Sequence, residues 1–343
     1  MLKLFTNKEF LTETYRRQVF PLLFDLVFLK NKTLLEYYTL VDIIELADIV
    51  VFPVDYAVFL KQNTAFLSLL KAAKQHQKVI WIYTAGDYGF TNYIDNSYTF
   101  RLGGFNSKLN RNTFILPSFI NDPYSSFLPQ GFSVLEKERK PSIGFVGHAQ
   151  SGVIKYLKEY SNHLKYLVKR KTNLLLADRQ LFYPSSVKRA SYLQRLTLHD
   201  DLDATFILRQ KYRAGSHSKL TQQESSQQFF DTIFNTAYTF CIRGVGNFSV
   251  RFYETLAVGR IPILLNTDCR LPLSTEIDWT KHCVIIDHNN KDTVADQILA
   301  FHNNLTDAEF ENIQHSNREL WLNTLRRDVY FIEIGRQFKT KRQ

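Results

Sequence analysis

The sequence predicts an α/β protein of two domains, each built on a mostly parallel sheet. Three observations lead there. A chain of 343 residues with 45% hydrophobic composition is long enough for two cores of ordinary size. Short β-branched or apolar runs alternate with helix-like segments along its whole length. Composition shifts at "LPQGFSVLEKERKPS" (128–142), where prolines, a glycine and clustered charges read as a linker.

In the first domain, 1–130, "DIVVFPV" (48–54) and "KVIWIYT" (78–84) are strand-like, and helix-like "AFLSLLKAAKQHQ" (65–77) separates them. "TFILPSF" (113–119) supplies a third strand, and 131–142 form the linker. The second domain, 143–315, starts at "SIGFVG" (142–147) and runs through a helix at 153–170. Its further strands are "ATFIL" (204–208), "AYTFCIR" (237–243), "IPILLN" (261–266) and "CVIIDH" (283–288). Helices near 291–303 and 307–327 follow, and 316–343 reads as a C-terminal helix with a basic tail, "RQFKTKRQ" (336–343).

Composition narrows the function. The first twenty residues carry scattered charges and no apolar core before small residues, so they do not read as a secretory signal. Val19 to Leu29 is broken by Pro21 and Asp25 and is far short of the roughly 20 residues that span a bilayer. Cys241, Cys269 and Cys283 cannot all pair and show no C-x-x-C spacing, which fits a reducing, cytoplasmic setting. A net charge of +10 calls for an anionic partner. Nucleic acid is not the expected one, because most aromatics sit in periodic apolar segments such as "FFDTIFNTAYTF" that read as core.

The densest constellation is "FCIRGVGNFSVRFYETLAVGRIPILLNTDC" (240–269). It predicts a strand, a glycine turn, a helix over about 250–258 stopped by Gly259, and a second strand. Gly244 and Gly246 would let a ligand approach the backbone, and the helix N-terminus favours an anion, above all a phosphate. Asn247 and Ser249 can cap the helix, while Arg243 and Arg251 add positive charge. Glu254, one turn further in, stands at about the pyrophosphate-to-ribose offset and could accept bonds from ribose hydroxyls. Arg251 and Glu254 could equally pair on the helix surface.

These residues resemble the signature of exostosin-family glycosyltransferases: an arginine-glycine pair, a serine, an R-x-x-E step, a G-x-I-P turn and a following L-P. The resemblance is dense over 240–279, and "FILRQKY" (206–212), "IGFVG", "ADIVVFP" (47–53) and "AGDYG" (85–89) extend it. It implies a GT-B arrangement, two Rossmann-like domains facing a cleft, with the nucleotide sugar on the second domain and the acceptor mainly on the first. It also implies inversion at the anomeric carbon, usually from a UDP-sugar. The donor would then be held by Arg209, Arg243, Gly244, Gly246, Asn247, Ser249, Arg251 and Glu254.

Such a transfer must stabilise a departing diphosphate and deprotonate an acceptor hydroxyl. Arginines and a helix N-terminus meet the first need without a metal or other cofactor. For the base, Asp87 in "AGDYG" follows a strand at the edge where open α/β sheets bind ligands, Asp55 in "PVDY" follows the preceding strand, and His148 follows "FVG". Asp201-Leu202-Asp203 is a D-x-D pair of the type that chelates a metal in the other glycosyltransferase fold, but it precedes a strand instead of following one.

Family members in animals and plants carry a Golgi anchor. This chain shows none, which reads as a stand-alone cytoplasmic enzyme of bacterial type, making a surface polysaccharide by transfer to a glycan or lipid-linked acceptor. The basic tail would bring it to the anionic inner face of the membrane. Two rivals stand beside this reading. One is an NAD(P)-dependent oxidoreductase using "GVGNFS" as G-x-G-x-x-S with Asp268 on the ribose. The other is a non-catalytic sugar-binding protein.

Overall fold

In a computed structural model describing residues 1–209, 219–287 and 293–340, eleven strands form two sheets. The first holds β1 (Leu2–Phe5), β2 (Tyr38–Leu40), β3 (Ile49–Val51), β4 (Val79–Thr84), β5 (Ser97–Arg101) and β6 (Thr113–Ile115) in the order β2-β1-β3-β4-β5-β6. The second holds β7 (Ser142–His148), β8 (Asp203–Arg209), β9 (Tyr238–Cys241), β10 (Ile261–Asn266) and β11 (Val284–Asp287) in the order β11-β10-β9-β7-β8. Every pairing between these strands is parallel. The predicted α/β class with two parallel sheets is what the chain forms.

The inner strands β3, β4, β7 and β10 are largely buried, and their sequences show it: "IVV", "VIWIYT", "SIGFVG" and "IPILLN" are near-continuous apolar runs. β1, β2 and β5 are absent from the sequence-based reading. Each is three to five residues long, too short for its pattern to stand out. His288, at the end of the predicted "CVIIDH" strand, lies outside the described residues, as do residues 210–212 of "FILRQKY".

The C-terminal segment differs from a basic tail. After helix Asp307–Leu320 and a wide turn, Trp321–Leu325, the chain forms helix Arg327–Thr340, which returns to the first sheet. Tyr330, Phe331, Ile334 and Phe338 are buried there with Tyr38, Trp81 and Phe100, and the Phe338 ring meets Trp81 edge-on at 4.9 Å. Residues 336–340 are thus part of a packed helix, and 341–343 lie outside the described residues.

Two first-domain loops join the halves. Arg101, at the end of β5, pairs with Asp178 at 2.7 Å and donates to the Tyr88 carbonyl, while Asp178 accepts from the Thr91 amide and hydroxyl. Loop 103–110 is tied by Asp268, which accepts from the Ser107 amide and hydroxyl, and by Arg270, which donates to Asn106 and to the Leu109 and Asn110 carbonyls. Both clamps tie loops that follow strands of the first sheet to segments that belong with the second sheet.

Candidate active site

The strand order of the second sheet turns at β7, with β8 on one side and β9 on the other. Ligands in open α/β sheets bind in the crevice outside the carboxyl ends of strands at such a switch point. Here a cavity of ≈ 820 Å³ opens there. Its wall includes Gly147 and His148 from the end of β7, Arg209 from β8, the 244–251 turn with Glu254, and Asp87 from the first domain.

The turn and helix form as predicted. Helix Val250–Val258 ends at Gly259, whose φ of 80° is left-handed and favours glycine. Ser249 occupies the N-cap with φ −138° and ψ 119°, but its side chain makes no capping bond, so the hydroxyl faces the cavity unspent. The unpaired amides of the first turn point the same way.

The two turn glycines do different things. Around Gly244 nothing lies within 4 Å of an added Cβ, so the wall is open at that point. At Gly246 an added Cβ would stand 2.2 Å from the backbone oxygen of Asp87. Gly246 is therefore needed for the first-domain loop to press on the turn, and not for the approach of a ligand as expected.

Asn247 is a correction of the same kind. Its Nδ2 donates to the carbonyls of Gly104, Thr267 and Asp268, and its Oδ1 accepts from the Thr267 hydroxyl. The side chain is buried and spent on joining three loops, so it neither caps the helix nor faces a phosphate.

Four arginines surround the cavity. Arg251 lies over the Phe145 ring at 4.2 Å and donates to the Val146 carbonyl. Arg209 braces helix Lys219–Asn235 through the Ser225 hydroxyl and carbonyl and the Gln228 amide oxygen. Arg243 is buried behind the wall between the rings of Tyr183 at 4.6 Å and Phe105 at 5.2 Å, and donates to the Val245 carbonyl. Arg189, on helix Ser185–Thr197, donates to the His148 carbonyl at 2.6 Å.

Among the described residues, none of the four makes an ion pair with a carboxylate, and the Nε atoms of Arg189, Arg243 and Arg251 have no partner. Loss of water pushes the pKa of all four down, that of Arg189 to about 10. Partly desolvated cations without an ion-pair partner are costly, and the arrangement is best satisfied by an anionic ligand. Arg189 was not singled out from sequence. It sits in "SSVKRASYL", which carries no motif, and only folding brings it to the ends of β7 and β9.

Glu254 does not pair with Arg251. Burial pushes its carboxyl up to about 7 against the opposing pull of that guanidinium, which leaves it an available acceptor deep in the cavity.

The three candidates for the base separate. Asp87 is on the cavity wall, with no partner for its carboxylate among the described residues and a pKa raised by loss of water even though the residue still reaches solvent. Asp55 is not on that wall. Its Oδ1 accepts from the Ala85 amide at 2.7 Å, so it anchors the root of the Asp87 loop. His148 lines the cavity, but Nδ1 faces the Arg209 carbonyl at 3.1 Å and must donate, leaving Nε2 to accept from the Lys155 ammonium at 2.8 Å. With both ring nitrogens engaged and its pKa lowered by burial and by Lys155, it has no lone pair to offer a substrate.

Two further expectations are displaced. The Asp201–Asp203 pair leads into β8, whose first residue, Asp203, pairs with Ser142 while its last pairs with His148, so it is at the opposite end of the sheet from the cavity. Asp268, which the oxidoreductase reading puts on a ribose, is spent on Ser107.

Residues 149–300 match the Exostosin GT47 domain model. Among solved structures, the chain is similar to a glycosyltransferase from Rickettsia africae, at 12% identity over 98% of both chains with a TM-score of 0.41. It is similar to TarM at 11% identity over 84% of this chain, with a TM-score of 0.37, and to the GtfA/B complex at 10% over 85%, also with 0.37. The chain spans about half the length of these last two, 54% and 57%. No curated protein sequence matches it significantly. The glycine turn, Glu254 and all four arginines lie inside the stretch that matches the exostosin GT47 model, whereas Asp87, Gly147 and His148 of the cavity wall lie outside it.

Proposed function

We propose that the chain is a glycosyltransferase whose donor, a nucleoside diphosphate sugar, places its diphosphate in the cavity at the ends of β7 and β9. One observation supports the reading: three arginines with no ion-pair partner among the described residues, Arg189, Arg209 and Arg251, line that cavity beside a free helix N-terminus, and Arg243 is buried behind its wall. These fixed charges would stabilise the leaving diphosphate, a role that needs no metal. Arg251, Arg189 and the turn amides meet the phosphates, Arg209 and Arg243 add field from behind, and Glu254 accepts from the ribose.

Asp87 acts as the base. It is the carboxylate that the first domain brings to the donor wall, and its raised pKa suits it to take a proton from an acceptor hydroxyl. In that geometry the acceptor attacks from the first-domain side while the diphosphate leaves on the second, which inverts the anomeric carbon. Uridine as the base, and a glycan or lipid-linked acceptor in surface-polysaccharide synthesis, rest on the family resemblance.

Thermal stabilisation by UDP, GDP, CMP and NAD, in EDTA and in manganese, tests the reading. Stabilisation by a nucleoside diphosphate that EDTA leaves intact and Arg251→Ala weakens at least tenfold is the expected result, since a charge-assisted contact contributes about 1.5–3 kcal/mol. Stabilisation by NAD alone, or by none of the four, would overturn it.

A further inference from the structure

Helix Val153–Lys171 turns its apolar side outward. At about 100° per residue, Tyr160, Val153, Leu164, Leu157, Val168 and Ile154 share one arc, and Lys155, Glu159, Tyr166 and Arg170 lie across from it. The second group is the one packed on the protein: Tyr166 is buried and donates to the Asp178 carbonyl, Arg170 donates to the Ala177 carbonyl, and Lys155 reaches His148. The apolar arc is left in solvent, with Ile154 86% exposed, Val153 75%, Val168 61% and Leu157 57%. Leu174, just past the helix, is 73% exposed. An ordinary surface helix has the reverse arrangement.

The exposed charge on this helix has one sign. Lys158, Lys165 and Lys169 line one flank of the arc and are exposed. The single acid, Glu159, has a side chain only 16% exposed and faces the protein. A solvent-facing apolar stripe bordered by lysines, with no carboxylate beside it, is the pattern of a helix that lies in the interface of an anionic bilayer. A second copy docked on the same arc would set lysines against lysines.

We infer that this face of helix Val153–Lys171 seats the protein on an anionic membrane surface, in place of the tail residues 336–340, which belong to a packed helix. The placement relates to the site. Leu174, Leu175, Leu176 and Ala177 line a second cavity of ≈ 260 Å³ that shares Asp87 with the donor cavity and also includes Asp55. On the transferase reading, which this last step requires, the seated face runs up to the acceptor side of Asp87 and suits an acceptor carried by lipid. The docking itself stands without that step.

The test is flotation of the full chain with vesicles of phosphatidylcholine alone and of phosphatidylcholine mixed with phosphatidylglycerol. The wild type should float with the anionic vesicles only. The triple variant Lys158→Gln, Lys165→Gln, Lys169→Gln should bind on the order of a hundredfold less. The variant Ile154→Glu, Leu157→Glu, Val168→Glu should lose flotation, and Arg336→Gln with Lys339→Gln should keep it. Stabilisation by UDP, measured on each variant, reports folding and the donor site separately, so failure of the transferase reading is distinguishable from failure of docking. Equal flotation on both vesicles, none on either, or no effect of the glutamates would overturn the inference. So would sedimentation showing a dimer that the glutamates split while vesicles are ignored.

Discussion

Arginine marks the C-terminal edge of both sheets, but in different company. In the first sheet Arg101 is almost fully buried and pairs with Asp178, so its charge is neutralised and its work is to bind one domain to the other. In the second, Arg209, Arg243 and Arg251, with Arg189 beside them, meet carbonyls, hydroxyls, an amide oxygen and aromatic faces, but no carboxylate among the described residues. The first arrangement is complete in itself, while the second is electrostatically unfinished. A buried cation with its partner is architecture, and a group of partly desolvated cations without one is a request for an anion.

This contrast can be broken by mutation, with effects of decreasing size. Under the base assignment, Asp87→Asn should lower turnover by about 10²- to 10⁴-fold while nucleotide affinity stays unchanged. Single-turnover rates beside calorimetric binding would check this, and equal losses in both would move Asp87 to a binding role. On the architectural side, Arg101→Ala strips Asp178 of its partner and should cost about 3 kcal/mol, the low end for a broken buried pair because Asp178 is 25% exposed. Urea unfolding measures it, and added nucleotide should not selectively rescue the variant.

Arg251→Ala should behave in the opposite way. Its effect on folding should be smaller than that of Arg101→Ala, because it removes a desolvated charge that makes no ion pair, whereas nucleotide affinity should fall at least tenfold, or about 1.5–3 kcal/mol. If the two variants prove alike in both assays, the distinction between paired and unpaired arginines fails.

A pH dependence sharpens the comparison further. Because burial raises the Glu254 carboxyl from 4.5 to about 7, the folded protein holds a proton that the unfolded chain has released between those values. Its contribution is therefore fully present below about pH 4.5 and is lost as pH rises through 7. Glu254→Gln should match wild-type stability at low pH and exceed it at pH 8, by melting temperature. Affinity for a nucleotide sugar should rise through pH 7 in the wild type as the carboxylate ionises to accept from the ribose, and should stay flat in Glu254→Gln.

Much of this arrangement is legible along the chain because it is local. Buried parallel strands such as "VIWIYT" and "IPILLN" need continuous apolar runs, a helix stop needs a residue such as Gly259 that tolerates left-handed backbone, and a strand-turn-helix unit puts its glycines, serine and arginines within a dozen positions. The α/β class, the glycine turn and the helix Val250–Val258 follow from that alone. What distance in sequence hides is the company a side chain keeps. Asn247 looks like a phosphate ligand until Gly104, Thr267 and Asp268 take its donors, Gly246 looks like a ligand contact until Asp87 leans on it, and Arg189 looks like nothing until β7 and β9 converge beside it. The same holds for "RQFKT", whose charges read as a tail until Phe338 enters the first core, and for helix Val153–Lys171, whose periodicity marks an apolar stripe without saying which way it faces. Local pattern determines backbone shape because its forces act between neighbours. Only tertiary packing decides which polar groups are spent and which remain for a ligand, because that depends on partners far away in sequence, 143 residues for Asn247 with Gly104 and 161 for Asp268 with Ser107.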